Sequence, residues 1–227
     1  MEDLAAQLAE FELRCAGEDY KTAAAVALEI DYDYLHLWGH YRLVTELYER
    51  LQGHIADPAL RQYSVGNLGA AYRIMAQYQR TIPLFEQALT LARERKDHEG
   101  EGACLGDLGN CYAELGETNQ AIGYYEQALV ISREVGNRHN EAVQLANLGN
   151  RYLGIGQIVL CIEYYKQALV IDRELGSGST KLIYCVIWES PTYISARPPR
   201  RCNASTTRSP SRGRSAIGSS RRLPRPT

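Results

Sequence analysis

The sequence of 227 residues predicts an all-α solenoid in which antiparallel helix pairs stack side by side. A Leu-Gly-x-x-Tyr phrase recurs with a 40-residue period, directly after Asn67, Asp107 and Asn147. Residues 104–136 and 144–176 are identical at 17 of 33 aligned positions. A repeat of this length is one supersecondary unit, which buries its apolar face only by stacking on its neighbours.

Within each repeat the apolar residues follow helical spacing. In the second repeat, Leu105, Leu108 and Tyr112 lie three or four residues apart, the pattern of an amphipathic helix. The turn from Gly116 to Asn119 ends this helix and offers polar N-caps for the next one. We therefore predict first helices over 59–75, 99–115 and 139–155, and second helices over 79–95, 118–135 and 158–175.

Three glycines inside the first helices indicate close packing within each pair. Gly69, Gly109 and Gly149 each cost about 1 kcal/mol against alanine in a helix, so a packing need is expected. The facing residue on the second helix is expected to be small: Thr81, Ala121 and Cys161. Aromatic pairs are expected beside these contacts: Tyr72 with Phe85, Tyr112 with Tyr125, and Tyr152 with Tyr165. Pro83 predicts a late start or a mild kink in its helix.

The segment 1–56 is also helical in pattern but does not follow the 40-residue period. Apolar spacing predicts helices over Leu4 to Cys15, Tyr20 to Ile30, and about 33–53. Asp57-Pro58 then caps the first repeat, with proline at its preferred first helical position. We therefore divide the chain into three domains. They are an irregular helical hairpin plus a connecting helix (1–56), three repeats (57–97, 98–137 and 138–176), and a tail (177–227).

Charge separates the tail from the rest of the chain. Residues 1–176 carry 15 Lys+Arg against 26 Asp+Glu, whereas residues 177–227 carry 10 against a single acid. An apolar run over 182–188 gives way to Arg, Pro and Ser, which predicts an irregular or disordered basic tail. Two interpretations stay open. The tail is either a basic arm for nucleic acid or an acidic membrane surface, or the product of a frame shift, because it replaces an expected fourth repeat.

Composition and motifs argue against several classes of protein. No apolar run reaches the roughly 18 residues of a membrane span, and the acidic N-terminus does not resemble a secretory signal. Six cysteines form no CxxC pair, so we expect free thiols in a reducing cytoplasm. His36 and His40 lack a third metal ligand, and Gly176 to Lys181 lacks phosphate-loop spacing. We therefore expect no catalytic site, cofactor or metal.

The repeat ladder resembles the tetratricopeptide repeat. In the second repeat its residues are Leu108, Gly109, Tyr112, Ala121, Tyr125 and Ala128. The 40-residue period is similar to the longer-helix subtype of kinesin light chains, spindle-orientation adaptors and many bacterial regulators. The phrase from Asp31 to Leu43 resembles the segment that joins nucleotide-binding module and repeat sensor in bacterial signalling ATPases of the STAND type. The resemblance implies a right-handed solenoid and a role in bacterial signalling.

The resemblance also implies a binding site, because the first helices of such arrays line the concave side. The residues expected to contact a peptide or partner helix there are Asn67, Arg73, Asp107, Asn110, Glu114, Asn147 and Asn150. An amide both donates and accepts, so it can pair with a peptide group whatever the side chain. The alternative is that these asparagines only tie neighbouring helices together. Arg73 lies beside this stripe and Arg151 next to Asn150, but the stripe holds no Lys or Arg pair, so no clamp for a C-terminal carboxylate is expected. An acidic groove with amides fits a neutral or basic peptide better.

We therefore expect a non-catalytic scaffold for protein–protein interaction. Its partner is a protein or peptide, no membrane is involved, and nucleic acid binds only if the tail does so. The other two hypotheses are binding of nucleic acid or an acidic surface through the Arg-rich tail, and a truncated or frame-shifted fragment of a larger signalling ATPase.

Overall fold

The computed structural model describes residues 2–31 and 40–176, and every regular element in these ranges is a helix. The helices are α1 (Glu2–Ala16), α2 (Tyr20–Ile30), α3 (Tyr41–Leu51), α4 (Pro58–Ile74), α5 (Tyr78–Arg95), α6 (His98–Glu114), α7 (Thr118–Glu134), α8 (Arg138–Gly154) and α9 (Ile158–Leu175). The all-α prediction is confirmed, and the six repeat helices lie within one residue of their predicted bounds. Most of the STAND-like phrase (32–39) and the tail (177–227) lie outside the described residues.

The first helix of each pair starts with the same side-chain cap. Asp57, Asp97 and Asn137 recur with the 40-residue period, and each accepts a hydrogen bond from the backbone N–H three residues on, at 3.1, 2.9 and 3.0 Å. Such a cap satisfies one of the N–H groups that a helix start leaves without a partner. The predicted cap at Asp57, followed by Pro58, is confirmed.

The turn inside each pair relies on a left-handed backbone residue instead of a side-chain cap. Ala76, Gly116 and Gly156 have φ values of 57°, 81° and 77°. Glu117, at the N-cap position of α7, makes no side-chain cap bond. The expectation of a polar cap at this turn is therefore wrong, because the left-handed residue already reverses the chain.

Consecutive helices pack against each other, and the first helices α4, α6 and α8 also contact one another directly. Two ion pairs recur with the 40-residue period at the junctions between pairs. Arg93 Nε lies 2.7 Å from Glu101 Oε1, and Arg133 Nε lies 2.9 Å from Glu141 Oε1. Each links a second helix to the first helix of the following pair, so the ion pairs reinforce the stacking order.

Within each pair, an aromatic ring lies against the glycine of the first helix. A Cβ added at Gly109 would lie 2.6 Å from Tyr125 Cε1, closer than real Cβ atoms approach a neighbour. The equivalent distances to the nearest ring atom are 3.0 Å at Gly149 and 3.1 Å at Gly69. The expectation that the glycines face the small residues is therefore corrected, since the rings of Phe85, Tyr125 and Tyr165 occupy that space.

The stacked aromatic pairs are shifted by one residue from the prediction. Tyr112 stacks on Tyr124 with ring centroids 5.2 Å apart, and Tyr152 stacks on Tyr164 at 5.3 Å. The following tyrosine on each second helix turns toward the glycine instead. Neighbouring residues on a helix point about 100° apart, so two adjacent tyrosines serve two different contacts.

Two further expectations concern helix starts. Helix α5 begins at Tyr78, one residue before its predicted start, and includes Pro83. The late start does not occur, and a mild kink stays a prediction. Buried residues on both sides of Pro83, such as Thr81 and Phe85, hold this helix in place through packing. Helix α3 begins only after His40, whose backbone is not helical (φ −81°, ψ 48°), so one unbroken helix over 33–53 is excluded.

Helices α1, α2 and α3 share one hydrophobic cluster with α4. Phe11, Ile30, Tyr48 and Leu68 are fully buried in it. The cluster covers the side of α4 that faces away from the later repeats. Within the two described ranges, no helix combines the length and apolar character that a membrane span requires.

The contact between Gly109 and Tyr125 predicts a graded effect of Gly→Ala substitution. We expect Gly109→Ala to lower the free energy of unfolding by about 1–2 kcal/mol, because the ring must move and the gain in helix propensity offsets only part of that cost. Gly149→Ala and Gly69→Ala should cost less. The measurement is urea denaturation followed by circular dichroism.

Gly123 provides the matched control in α7, because an added Cβ there meets no atom within 4 Å. Gly123→Ala should raise stability by up to about 1 kcal/mol. Equal effects of Gly109→Ala and Gly123→Ala would show that the ring contact does not set the distance between the helices.

Candidate binding surface on the first helices

The predicted site residues lie on the first helices α4, α6 and α8, and together we call them the first-helix surface. Its seven residues are Asn67, Arg73, Asp107, Asn110, Glu114, Asn147 and Asn150. Glu114 is exposed and the others are half-buried. The surface therefore contains polar groups that are partly shielded from water and still accessible.

In the middle repeat, an asparagine is held by a tyrosine of the neighbouring helix. The Tyr125 hydroxyl donates to Asn110 Oδ1 at 2.8 Å. Asn110 also acts on the carboxyl group of Asp107, one turn earlier on α6, and lowers its pKa. Because its carbonyl oxygen is engaged by Tyr125, the Asn110 amide has its NH₂ group left as a donor.

Charged side chains of three helices, α4, α6 and α8, act on the middle repeat. Burial raises the pKa of Asp107, while Arg73 on α4 and Asn110 act in the opposite direction. Burial also raises the pKa of Tyr125 to about 12, and both Arg151 on α8 and Arg73 oppose this shift. Two guanidinium groups thus act on the middle repeat from either side. The sequence already placed Arg73 beside the stripe and Arg151 next to Asn150, and the expectation that the stripe itself holds no Lys or Arg pair stays a prediction.

Tyr78 at the start of α5 lies near Glu114. The pKa of Tyr78 is raised, first by burial and then by the charge of Glu114, while Arg73 acts in the opposite direction. Groups of both signs therefore act on Tyr78.

In the third repeat, Asn150 repeats the arrangement of Asn110. The Tyr165 hydroxyl donates to Asn150 Oδ1 at 2.5 Å. The Asn150 NH₂ group and the whole Asn147 side chain make no hydrogen bond to any other described residue. These two neighbouring amides can therefore bind an external group without breaking an internal contact.

Asn67 in the first repeat has a different setting. Its Nδ2 donates to the Tyr48 hydroxyl at 2.9 Å, and Tyr48 donates to Asp31 Oδ2 at 3.1 Å. Burial and the charge of Asp31 raise the pKa of Tyr48. This chain of hydrogen bonds joins α4 to the N-terminal helices. Asn67 thus fits the alternative in which the asparagines tie neighbouring helices together. Asn110 and Asn150 also join helices through their tyrosine partners, so the alternative describes part of their role.

Sequence reasoning missed the hydroxyl groups of Tyr125 and Tyr165 as partners of the asparagines. A signal for the tyrosines was present, because Asn110 and Asn150 each precede their partner by 15 residues. In the first repeat, the equivalent positions are Ala70 and Phe85, so the amide and the hydroxyl are missing together. The Arg151 contribution crosses from one pair to the next, and no spacing within a repeat predicts it.

The cysteines near the surface are not activated. Cys104 and Cys111 are buried on α6, and burial raises the pKa of both thiols to about 12. Both stay protonated at neutral pH, which disfavours a nucleophilic role. In the described ranges, no three His, Cys, Asp or Glu side chains come together as a metal site would require.

The architecture and the family comparison agree on the class of protein. The chain forms a stack of antiparallel helix pairs, and residues 62–134 match the family model described as tetratricopeptide repeat. The predicted tetratricopeptide repeats are therefore confirmed over this segment. The resemblance to STAND-type sensors has no counterpart among these findings.

Solved structures of low sequence identity share the fold. BtubC (BKLC) from P. vanneervenii matches with a TM-score of 0.68 and 16% identity, covering 92% of this chain and 99% of that chain. The nearly identical TPR-like repeats of a putative kinesin light chain from Podosopora anserina match with a TM-score of 0.52 and 18% identity, covering 76% of this chain and 96% of that chain.

A third structure was solved with a peptide. The Rap conjugation gene regulator of plasmid pLS20, in complex with a Phr peptide, matches with a TM-score of 0.54 and 18% identity. The match covers 61% of this chain and 40% of that one. No curated protein sequence matches this chain. At these identities, the likeness establishes the fold.

The buried tyrosines predict a loss of stability at high pH. Burial raises the pKa of Tyr125 and of Tyr165 to about 12, above their ordinary value of 10.0. As the pH rises from about 10 to 12, the unfolded chain loses these protons while the folded chain keeps them, so the free energy of unfolding falls. Each tyrosine contributes about 2 kcal/mol to this fall, so we expect the double variant Tyr125→Phe, Tyr165→Phe to show a fall smaller by about 4 kcal/mol.

The measurement is denaturant unfolding at a series of pH values. Tyr63→Phe is the control, because Tyr63 is exposed on α4 and should leave the profile unchanged. A double variant with the same pH dependence as the parent chain would contradict the assignment of raised pKa values to these two tyrosines.

Proposed function

We propose that the chain is a non-catalytic interaction scaffold that binds a peptide or partner helix along the first-helix surface. The observation that carries this proposal is the pair of amides on α8, Asn147 and Asn150, which keep hydrogen-bonding groups unused by any described residue. Hydrogen-bonding groups held half-buried and unused suit recognition of a peptide backbone. The peptide complex of the Rap regulator supports the same role for this fold.

The packing of the helices favours this face over the opposite one. The first helices contact one another directly across successive pairs. In a curved stack, the helices that lie closest together occupy the inner side, and stacked repeats use this concave side for binding. Amides on α6 and α8 would then follow an extended ligand from one repeat to the next.

Apolar contacts are available beside the polar row. Tyr63 lies four residues before Asn67, and Val143 lies four residues before Asn147; both are exposed. Residues four apart lie on the same side of a helix. The surface therefore offers apolar area for side chains as well as amides for the backbone, as peptide-binding surfaces require.

The charges favour a ligand of mixed sign. Arg73 and Arg151 act on the middle repeat, where Asp107 and Glu114 also lie. A ligand with one acidic and one basic group would find a partner for each, whereas a strongly basic one would be repelled by the arginines. This revises the neutral or basic ligand expected from the sequence alone.

The cytoplasmic location, the bacterial origin and the role in signalling remain proposals that rest on the sequence. The thiols support the location, because Cys15, Cys104, Cys111 and Cys161 are free, as is usual in a reducing compartment.

Selection from a displayed peptide library tests the function. The full chain should enrich peptides with a common motif, and the double variant Asn147→Ala, Asn150→Ala should bind them at least about tenfold more weakly. Loss of two hydrogen bonds of ordinary strength accounts for this factor. Affinities are measured by fluorescence anisotropy with labelled peptides.

Asn119→Ala is the matched control, because Asn119 carries the same amide on the exposed start of α7. Thermal unfolding by circular dichroism checks that all variants keep their fold. Enriched peptides that bind the double variant and the parent chain equally well would exclude the first-helix surface as the site.

A further inference from the structure

A cavity of about 180 Å³ lies at the junction between the N-terminal helices and the first repeat. It is open to solvent on one side and is lined by the end of α3, the connection to α4, and helices α4 and α5. Leu51, Ile55 and Val65 form apolar parts of its wall and are buried. An apolar cavity of roughly 150 Å³ can hold benzene, so this cavity has room for a small ring or a short branched chain.

One wall residue is a buried serine that lacks a hydrogen-bond partner. Ser64 is only 4% exposed, and its Oγ makes no hydrogen bond within the described part of the chain. Buried hydroxyl groups nearly always have a partner, so this one calls for an explanation. A polar atom of a bound molecule would satisfy it.

Side-chain size at one repeat position differs between this junction and the later one. Ser64 corresponds to Cys104 on α6 and to Gln144 on α8. Gln144 extends toward Gly106, where an added Cβ would lie 2.9 Å from its Nε2. The long glutamine side chain thus fills the space between α6 and α8, whereas the short Ser64 side chain leaves room beside α3.

The rim of the cavity carries a positive charge. Arg61 lines the cavity, and its Nε donates to the Ile55 carbonyl oxygen at 3.0 Å, which fixes the side chain beside the α3–α4 connection. Among the described residues, Arg61 has no carboxylate partner. A guanidinium group has five N–H donors, so those on its two terminal nitrogens remain for an anion, and their planar fork suits a carboxylate.

We propose that this cavity binds a small apolar carboxylic acid. Its ring or branched chain lies against Leu51, Ile55 and Val65, its carboxylate pairs with Arg61, and a polar atom of the ligand meets the Ser64 hydroxyl. Gln52 and Gln87 line the same cavity and are exposed, so they limit the opening with further amides. The site does not include any residue of the first-helix surface. A failed test of this proposal therefore leaves the peptide-binding proposal unaffected, and the reverse also holds.

The test uses phenylacetate as the acid and phenylacetamide as its neutral counterpart. With the full chain, ligand-observed saturation-transfer NMR should detect phenylacetate with a Kd on the order of 1 mM or tighter, as ligand efficiency allows for ten heavy atoms. Arg61→Gln should weaken phenylacetate binding about tenfold and leave phenylacetamide unaffected. Ser64→Leu should abolish binding of both compounds by filling the cavity.

Arg42→Gln is the control, because Arg42 is an exposed arginine on α3 outside the cavity, and it should bind phenylacetate as the parent chain does. Circular dichroism checks that Ser64→Leu is folded. If it is not folded, Arg61→Gln still tests the site, because Arg61 is exposed and its substitution should leave the fold intact. The proposal is overturned if neither compound binds at about 5 mM. It is also overturned if Arg61→Gln leaves phenylacetate binding unchanged, or if phenylacetamide binds as tightly as the acid.

Discussion

The contact between an aromatic ring and a glycine backbone determines how close the two helices of each pair lie. At Gly109, the Tyr125 ring occupies the place that a Cβ would need. The same contact recurs at Gly69 and Gly149, so the separation of the helices is set three times in the same way. Because each pair stacks on the next, an error in one pair would be passed along the array. This constraint explains why glycine persists in mid-helix despite its cost in helix propensity.

The same rings connect packing to the binding surface. A tyrosine whose ring lies against the glycine brings its hydroxyl to the asparagine one residue further along the first helix, as in Tyr125 with Asn110. In the first repeat, Phe85 keeps the ring contact while Ala70 replaces the asparagine. Packing is therefore preserved while the polarity of the surface changes. One side chain serves both purposes, so substitutions at the tyrosine test packing and binding together, whereas substitutions at the asparagine test binding more cleanly.

The sequence predicted the helices almost completely, and the contacts between them only in part. The 40-residue period fixes where each helix begins and ends, because caps and left-handed turn residues recur with it at Asp57, Asp97 and Gly116. Periodicity shows which face of a helix is buried but not which ring meets which neighbour, so the aromatic pairs were assigned one residue too late. The effect of Arg151 on Tyr125 could not be predicted, because it depends on how two separate pairs are stacked.

The first repeat is the one that departs most from the common pattern, and its departures share a cause. Its neighbour on one side is α3 instead of another repeat. Ser64 stands where the later repeats have Cys104 and Gln144, and Asn67 donates to Tyr48 on α3. Its turn uses Ala76 in a left-handed conformation that glycine adopts at lower cost. A junction between irregular helices and a regular array cannot reuse the interlocking side chains of the array. The space that results beside Ser64 is therefore a direct consequence of ending a repeat stack on an unrelated helix.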